Sequence, residues 1–194
     1  INYNADFRYE RYGKPGELFS VGGFYKYLDN PIEQNMRATA SGQLMSFANA
    51  NSANVAGAEI EYMRSLAFLI RDEEKRDTSF LNDLNLGFNA TYMYTSVQID
   101  TTDGGAINTN ATRPLEGASP FLINFDLSYQ RRVGDKNDNK TYLAALSYNV
   151  FGPRLYAVGS NGIGDQYELP VQSLNFVGKI TFNDTYSIGL KAKN

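Results

Sequence analysis

Glu59 and Glu61 are the first candidates for chemistry, two carboxylates separated by one residue. Alternate side chains of a β-strand share a face, so these two would sit about 7 Å apart, a separation compatible with a glycosidase pair. Nothing in the neighbouring sequence supplies an environment that would make one an acid and the other a base. Alternating carboxylates are also the ordinary content of a wetted strand face. Asp135, Asn137 and Asn139 imitate the start of a calcium loop, but the sixth position is Lys140 where glycine belongs and the twelfth is Leu146 where glutamate belongs. That segment reads as a solvated turn. Gly159, Gly162 and Gly164 lack the strand–helix unit that a dinucleotide fingerprint needs. Asp100 and Asp103, beside Gly104 and Gly105, could help to hold an ion but read as an ordinary turn. The chain contains no Cys and no His. Disulfides, thiol nucleophiles, Cys/His zinc sites and Ser-His-Asp triads are therefore excluded. The expectation is a protein that is not an enzyme, with no catalytic residue, cofactor or metal.

The residues that remain are distributed rather than clustered, and their positions follow from a repeated strand pattern. From Asn2 to Glu10, Asn2, Asn4, Asp6, Arg8 and Glu10 alternate with Tyr3, Ala5, Phe7 and Tyr9. One face is a polar ladder and the other an aromatic-rich strip. Seven more segments repeat the pattern. Phe19, Val21, Tyr25 and Tyr27 oppose Ser20, Gly22, Phe24 and Lys26. A third strand, expected to begin at Gly57, sets Ala58, Ile60 and Tyr62 against Glu59 and Glu61, with Leu66 and Phe68 continuing the apolar side. Leu84 to Tyr94 opposes Asn85 to Thr95, and Phe121 to Tyr129 opposes Leu122 to Gln130. The last three segments centre on Tyr142–Val150, Leu174–Phe182 and Tyr186–Ala192.

Connections between these segments alternate in length. Gly13 to Gly16, the charged 71–77, 134–140 and 183–184 are short; 29–55, 98–120 and 151–170 are long. An up-and-down sheet with turns at one edge and loops at the other fits this order, as in outer-membrane barrels. Tyr and Phe also gather near both strand ends. Phe19 and Tyr27 lie about 26 Å apart along a strand, or roughly 20 Å once tilted, close to the height of such a barrel's apolar band. The alternative readings are a self-contained eight-stranded outer-membrane barrel acting in adhesion or as a structural scaffold, and a soluble ligand-binding β-domain that turns its apolar face into its own core.

At 194 residues with net charge −3 and interspersed signs, the composition offers no nucleic-acid partner. No stretch approaches the roughly 20 apolar residues of a membrane helix. The first residue already lies inside a strand pattern, so the chain reads as an excerpt of a longer mature protein. The fold expected is all-β: about eight strands of a larger transmembrane, up-and-down antiparallel β-barrel, filling residues 1–194. Asn4, Asp6, Arg8, Glu10, Lys26, Glu59, Glu61, Asn85, Asn89, Asn124, Asp126 and Lys179 would then line its wet lumen.

Several segments together resemble one family. They are NADFRYERYGKPGELFSVGGFYKYLDNPIE (4–33), GAEIEYMRSLAFL (57–69), LNLGFNATYMYTSV (84–97), RPLEGASPFLINFDLSY (113–129), LSYNVFGPRLYAVG (146–159) and YELPVQSLNFVGKITF (167–182). They are similar to the C-terminal barrel region of TonB-dependent outer-membrane receptors, especially those of Bacteroidota. The resemblance implies a barrel of about 22 strands with a plugged lumen. It also implies residence in the outer membrane of a Gram-negative bacterium, contact with outer-membrane lipid, and uptake of siderophore-iron, cobalamin, glycan or peptide. The partners it implies are an N-terminal plug of the same protein, the TonB complex and, in some members, a surface lipoprotein. Neither plug nor TonB box lies within these residues, and the chain ends at Lys193-Asn194, short of the terminal aromatic residue of such barrels.

Overall fold

The structure, a computed structural model, describes residues 1–70, 80–99, 107–135 and 138–194. The described residues form thirteen strands. Eight of them make one antiparallel sheet: β1 (Asn2–Tyr12), β2 (Leu18–Asp29), β5 (Ser52–Ser65), β6 (Leu84–Gln98), β8 (Phe121–Gly134), β9 (Asn139–Phe151), β12 (Val171–Phe182) and β13 (Tyr186–Lys193). Each pairs with its predecessor in that series, so the topology is purely up-and-down. The sheet is open, with β1 and β13 at its edges.

Register preserves the two faces across the whole width. One outer row runs Phe19, Tyr62, Phe88, Phe125, Tyr148 and Leu174 through consecutive cross-strand pairs. Two residues further along, Val21, Ile60, Ala90, Ile123 and Val150 form the next row. A slip of one residue at any pair would have thrown polar side chains into these rows. No such slip occurs. The turns hold the register: Asn183 and Asp184 both take left-handed backbone, φ 50° and 55°, and Thr185 N–H donates to the Phe182 carbonyl at 3.0 Å. That mirror-image turn matches the twist of paired strands, and asparagine and aspartate tolerate it.

Three expectations need correction. The 29–55 connection is not plain loop: it folds as a hairpin of β3 (Ile32–Thr39) and β4 (Gly42–Asn49), and β5 starts at Ser52 rather than Gly57. Leu66 and Phe68 do not extend the apolar face, because the strand ends at Ser65 and Leu66–Leu69 forms a 3-10 turn capped by the Ser65 hydroxyl. The other two long connections also carry strands, β7 (Thr112–Arg113) against β6, and the pair β10 (Arg154–Ala157) and β11 (Gln166–Glu168). The charged 71–77 segment, Asp100, Asp103 and Asn137 lie outside the described residues.

The outer face has no protein cover among the described residues. Phe7 is 71% exposed, Tyr92 64% and Ile188 71%. The buried apolar cluster lies elsewhere, at the loop edge and on the opposite face. Leu28, Ala53 and Val97 stand side by side there in register, and Ala50, Ile99 and Leu115 close over them. A soluble sandwich would bury its aromatic face; this chain buries the loop end of its polar face.

Candidate functional site

All the residues expected to face a lumen occupy one face of the sheet, set there by register. Asn4 pairs with Lys26, Asp6 with Phe24 and Arg8 with Gly22; Glu61 pairs with Asn89, Asn89 with Asn124, and Leu143 with Lys179. Two networks join them laterally. Arg8 donates to Glu10 at 2.6 Å and to Glu61 at 2.9 Å, and the Tyr12 hydroxyl donates to the other oxygen of Glu10. From the very next strand onward, Asn124 donates its amide to Asn89 at 2.7 Å and accepts from Asn149, a rung of side-chain amides across β6, β8 and β9. Lys26, Glu59, Asn85, Asp126 and Lys179 belong to this face but to neither network. Phe24 is an aromatic on the polar side. Its ring lies over Gly57, its cross-strand partner, where a Cβ would come within 2.3 Å of the ring. An aromatic side chain thus covers the gap that the glycine leaves in the ladder.

At the loop edge the three connections fold inward over this same face and fasten to one another. Arg113, held beside Val97 by β7, reaches the β3–β4 hairpin: it donates to the Gln34 carbonyl at 2.6 Å and lies 3.8 Å from the Glu33 carboxylate. Both side chains are buried. Burial pushes the Glu33 carboxyl up and the Arg113 guanidinium down from their ordinary values, each against the pull of the other. Desolvation therefore outweighs attraction in this pair. Asn108 accepts from Met36 N–H at 3.0 Å and donates to Asn35 at 2.8 Å. Asp165 binds Asn110 through one oxygen and Gly159 N–H through the other, both at 2.7 Å, which ties the third connection to the second.

Between the hairpins a cleft of about 780 Å³ opens, lined by Gln34, Glu116, Arg154, Tyr156, Tyr167 and Glu168 among others. Its charges are largely engaged. Arg154 donates to Glu168 at 2.5 Å, which holds that carboxyl below the usual range, and Gln34 donates to Glu116. Tyr156 is 70% exposed and offers a free ring. The cleft offers a solute aromatic faces and hydrogen-bonding groups.

The weaker sequence candidates resolve as structure. Glu61 is an ion-pair partner of Arg8, and Glu59 stands without a catalytic neighbour on the same face. Asn139 is buried, and its N–H donates to the Asn183 side chain at 2.9 Å, joining two turns. Gly159 and Gly162 lie in an irregular connection. Among the described residues no three acidic side chains gather to hold a metal. Glu33, Arg113, Gln34, Glu116 and the Arg154–Glu168 pair escaped the sequence reading as a site. Yet Glu33 ends the segment NPIE, Arg113 opens RPLEGASP, and Arg154 closes YNVFGPR.

An up-and-down sheet with one lipid-like face, one hydrated face and loops folded over the hydrated side defines the wall of a membrane-type β-barrel. The family model described as TonB dependent receptor-like, beta-barrel matches residues 1–194, and the chain belongs to that family. Its members are transporters of the outer membrane of Gram-negative bacteria. No curated protein and no solved structure matches the chain.

Proposed function

We propose that these strands form part of a larger closed barrel that imports a scarce nutrient across the outer membrane, of the kind found in Bacteroidota. Siderophore-iron, cobalamin, glycan and peptide are the candidate cargoes. The observation that carries this reading is the unbroken register of two faces across eight strands, with long connections folded over the polar one. In it, the apolar face meets lipid, and Asp6, Arg8, Glu10, Lys26, Glu59, Glu61, Asn85, Asn89, Asn124, Asp126 and Lys179 face the lumen and an N-terminal plug. The cleft at Tyr156 and Tyr167 takes part in capturing cargo from outside, the TonB complex supplies the energy, and a surface lipoprotein assists.

The open edges favour this reading over a self-contained eight-stranded barrel, which would pair β1 with β13. The test is uptake of each labelled cargo class by cells with and without the full-length protein, in hosts with intact and disabled TonB. Uptake of one class that needs both supports the proposal. Equal uptake of every class in all four strains contradicts it.

A further inference from the structure

The lipid-side face is not uniformly bulky. Across β8, β9, β12 and β13, one row reads Tyr129, Ala144, Gly178 and Leu190 in register. The row nearer the turns carries Tyr142, Ile180 and Ile188, and the row nearer the loops carries Leu146 and Phe176. Two small residues between bulky rows leave a trough of about 560 Å³, closed at its ends by Tyr129 and Leu190 and partly roofed by the Phe176 ring, 3.3 Å from where a Gly178 Cβ would stand. The bulky rows are four residues apart along each strand, about 13 Å between backbones.

At and beyond the Tyr142–Ile180 row, toward the turns, stand two cations. Arg131 pairs with Tyr142, and Lys140 pairs with both Val133 and Phe182, so both basic residues stand on the apolar face. Asp83 takes one side of the Arg131 guanidinium at 3.2 Å, while Lys140 is exposed. Gly178 lies four residues from Phe182, about 10 Å in depth once strand tilt is included. The cations therefore sit at headgroup height while the trough lies within the apolar band. With short turns at the periplasmic edge, this is the height of the periplasmic leaflet.

We propose that the Ala144–Gly178 trough, with Lys140 and Arg131 below it, is a binding site for one anionic glycerophospholipid of the periplasmic leaflet. One acyl chain lies in the trough and the phosphate meets the cations. The inference rests on the reading that this face contacts lipid. It adds that one lipid is held in place while its neighbours exchange.

The test uses the full-length receptor purified in mild detergent, titrated with phosphatidylglycerol or phosphatidylcholine of identical acyl chains and read by native mass spectrometry. The expected result is one phosphatidylglycerol adduct that outlasts the others. Gly178→Leu, whose Cβ has to displace only the Phe176 ring 3.3 Å away, should abolish that adduct. Ala144→Leu fills the trough from the neighbouring strand should Gly178→Leu fail to fold. Lys140→Gln should weaken the adduct about fivefold, as expected for one charge at a membrane surface. Equal phosphatidylglycerol retention in wild type and both filled variants overturns the proposal, as does phosphatidylcholine binding equally well. Recovery of the full-length protein in buffer without detergent would instead refute the membrane reading itself. A membrane-bound protein without a selective adduct refutes this site alone.

Discussion

Replacing Arg113 with Met separates the loop platform from the sheet, and its cost follows from the contacts. The variant loses a charge-assisted hydrogen bond to the Gln34 carbonyl, worth about 1.5–3 kcal/mol, and leaves the buried Glu33 carboxylate without its cation. Removing one partner of a buried pair costs about 3–5 kcal/mol in total. Burial already pushes the Glu33 carboxyl up, so uptake of a proton relieves part of that cost and places the expected loss near 3 kcal/mol. The loss is local, because the Met36, Asn108 and Gly159 contacts depend on the hairpin being in place. The assay is hydrogen exchange at Ile107, Thr109 and Asn161, whose amides donate to Met36, Gly159 and Ile107 carbonyls. They should exchange roughly a hundredfold faster. Adding Glu33→Gln should restore part of the protection, since no orphaned charge remains. The pH dependence has a definite sign. A carboxyl raised on folding contributes stability below its ordinary value and loses it as pH rises through the folded value. Protection in the single variant should therefore recover toward acid, and the double variant should be flat over that range. Wild-type exchange in Arg113→Met, or a double variant worse than the single, would refute the reasoning.

Three further outcomes follow. Phe125→Arg, in the middle of the outer face, should destabilise the full-length barrel by about 2–4 kcal/mol in urea titrations in lipid vesicles, whereas Asp126→Arg, on the polar face and in neither network, should cost under about 1 kcal/mol. Gly57→Val should cost about 1–3 kcal/mol or more in the same titration, because its Cβ meets both the Phe24 ring and the Tyr92 carbonyl oxygen at 2.7 Å, and Phe24→Ala should relieve only the ring's share. Arg154→Met should let the Glu168 carboxyl return toward its ordinary value in an NMR titration. In wild type that depressed carboxyl contributes above the ordinary glutamate value and ceases to as pH falls through its folded value.

The eight long strands were legible because side chains alternate strictly and the same parity survives every pairing. The hairpins inside the connections were not. In β3 and β4, Leu44 and Met45 are adjacent in sequence and both more than half exposed, so no single apolar face marks the strand. The lumen-side positions followed from alternation, but their bonds did not, since Arg8 and Glu61 are 53 residues apart. The loop site was hidden for the same reason. Glu33 and Arg113 sit in segments that carry the family resemblance, yet no local spacing reveals that successive chain reversals through β4, β5 and β6 make them an ion pair.

The central claim is that odd-numbered residues of β8 face lipid and even-numbered ones face water. Because these residues include no cysteine, single cysteines can be placed from Phe121 to Gln130 in the full-length receptor, where any cysteine native to the rest of the protein is first replaced. Each site is spin-labelled in lipid vesicles and its exposure to oxygen compared with its exposure to a water-soluble nickel chelate. Oxygen should dominate at positions 121, 123, 125, 127 and 129, and the chelate at the positions between. The opposite phase, or no alternation, would contradict the account.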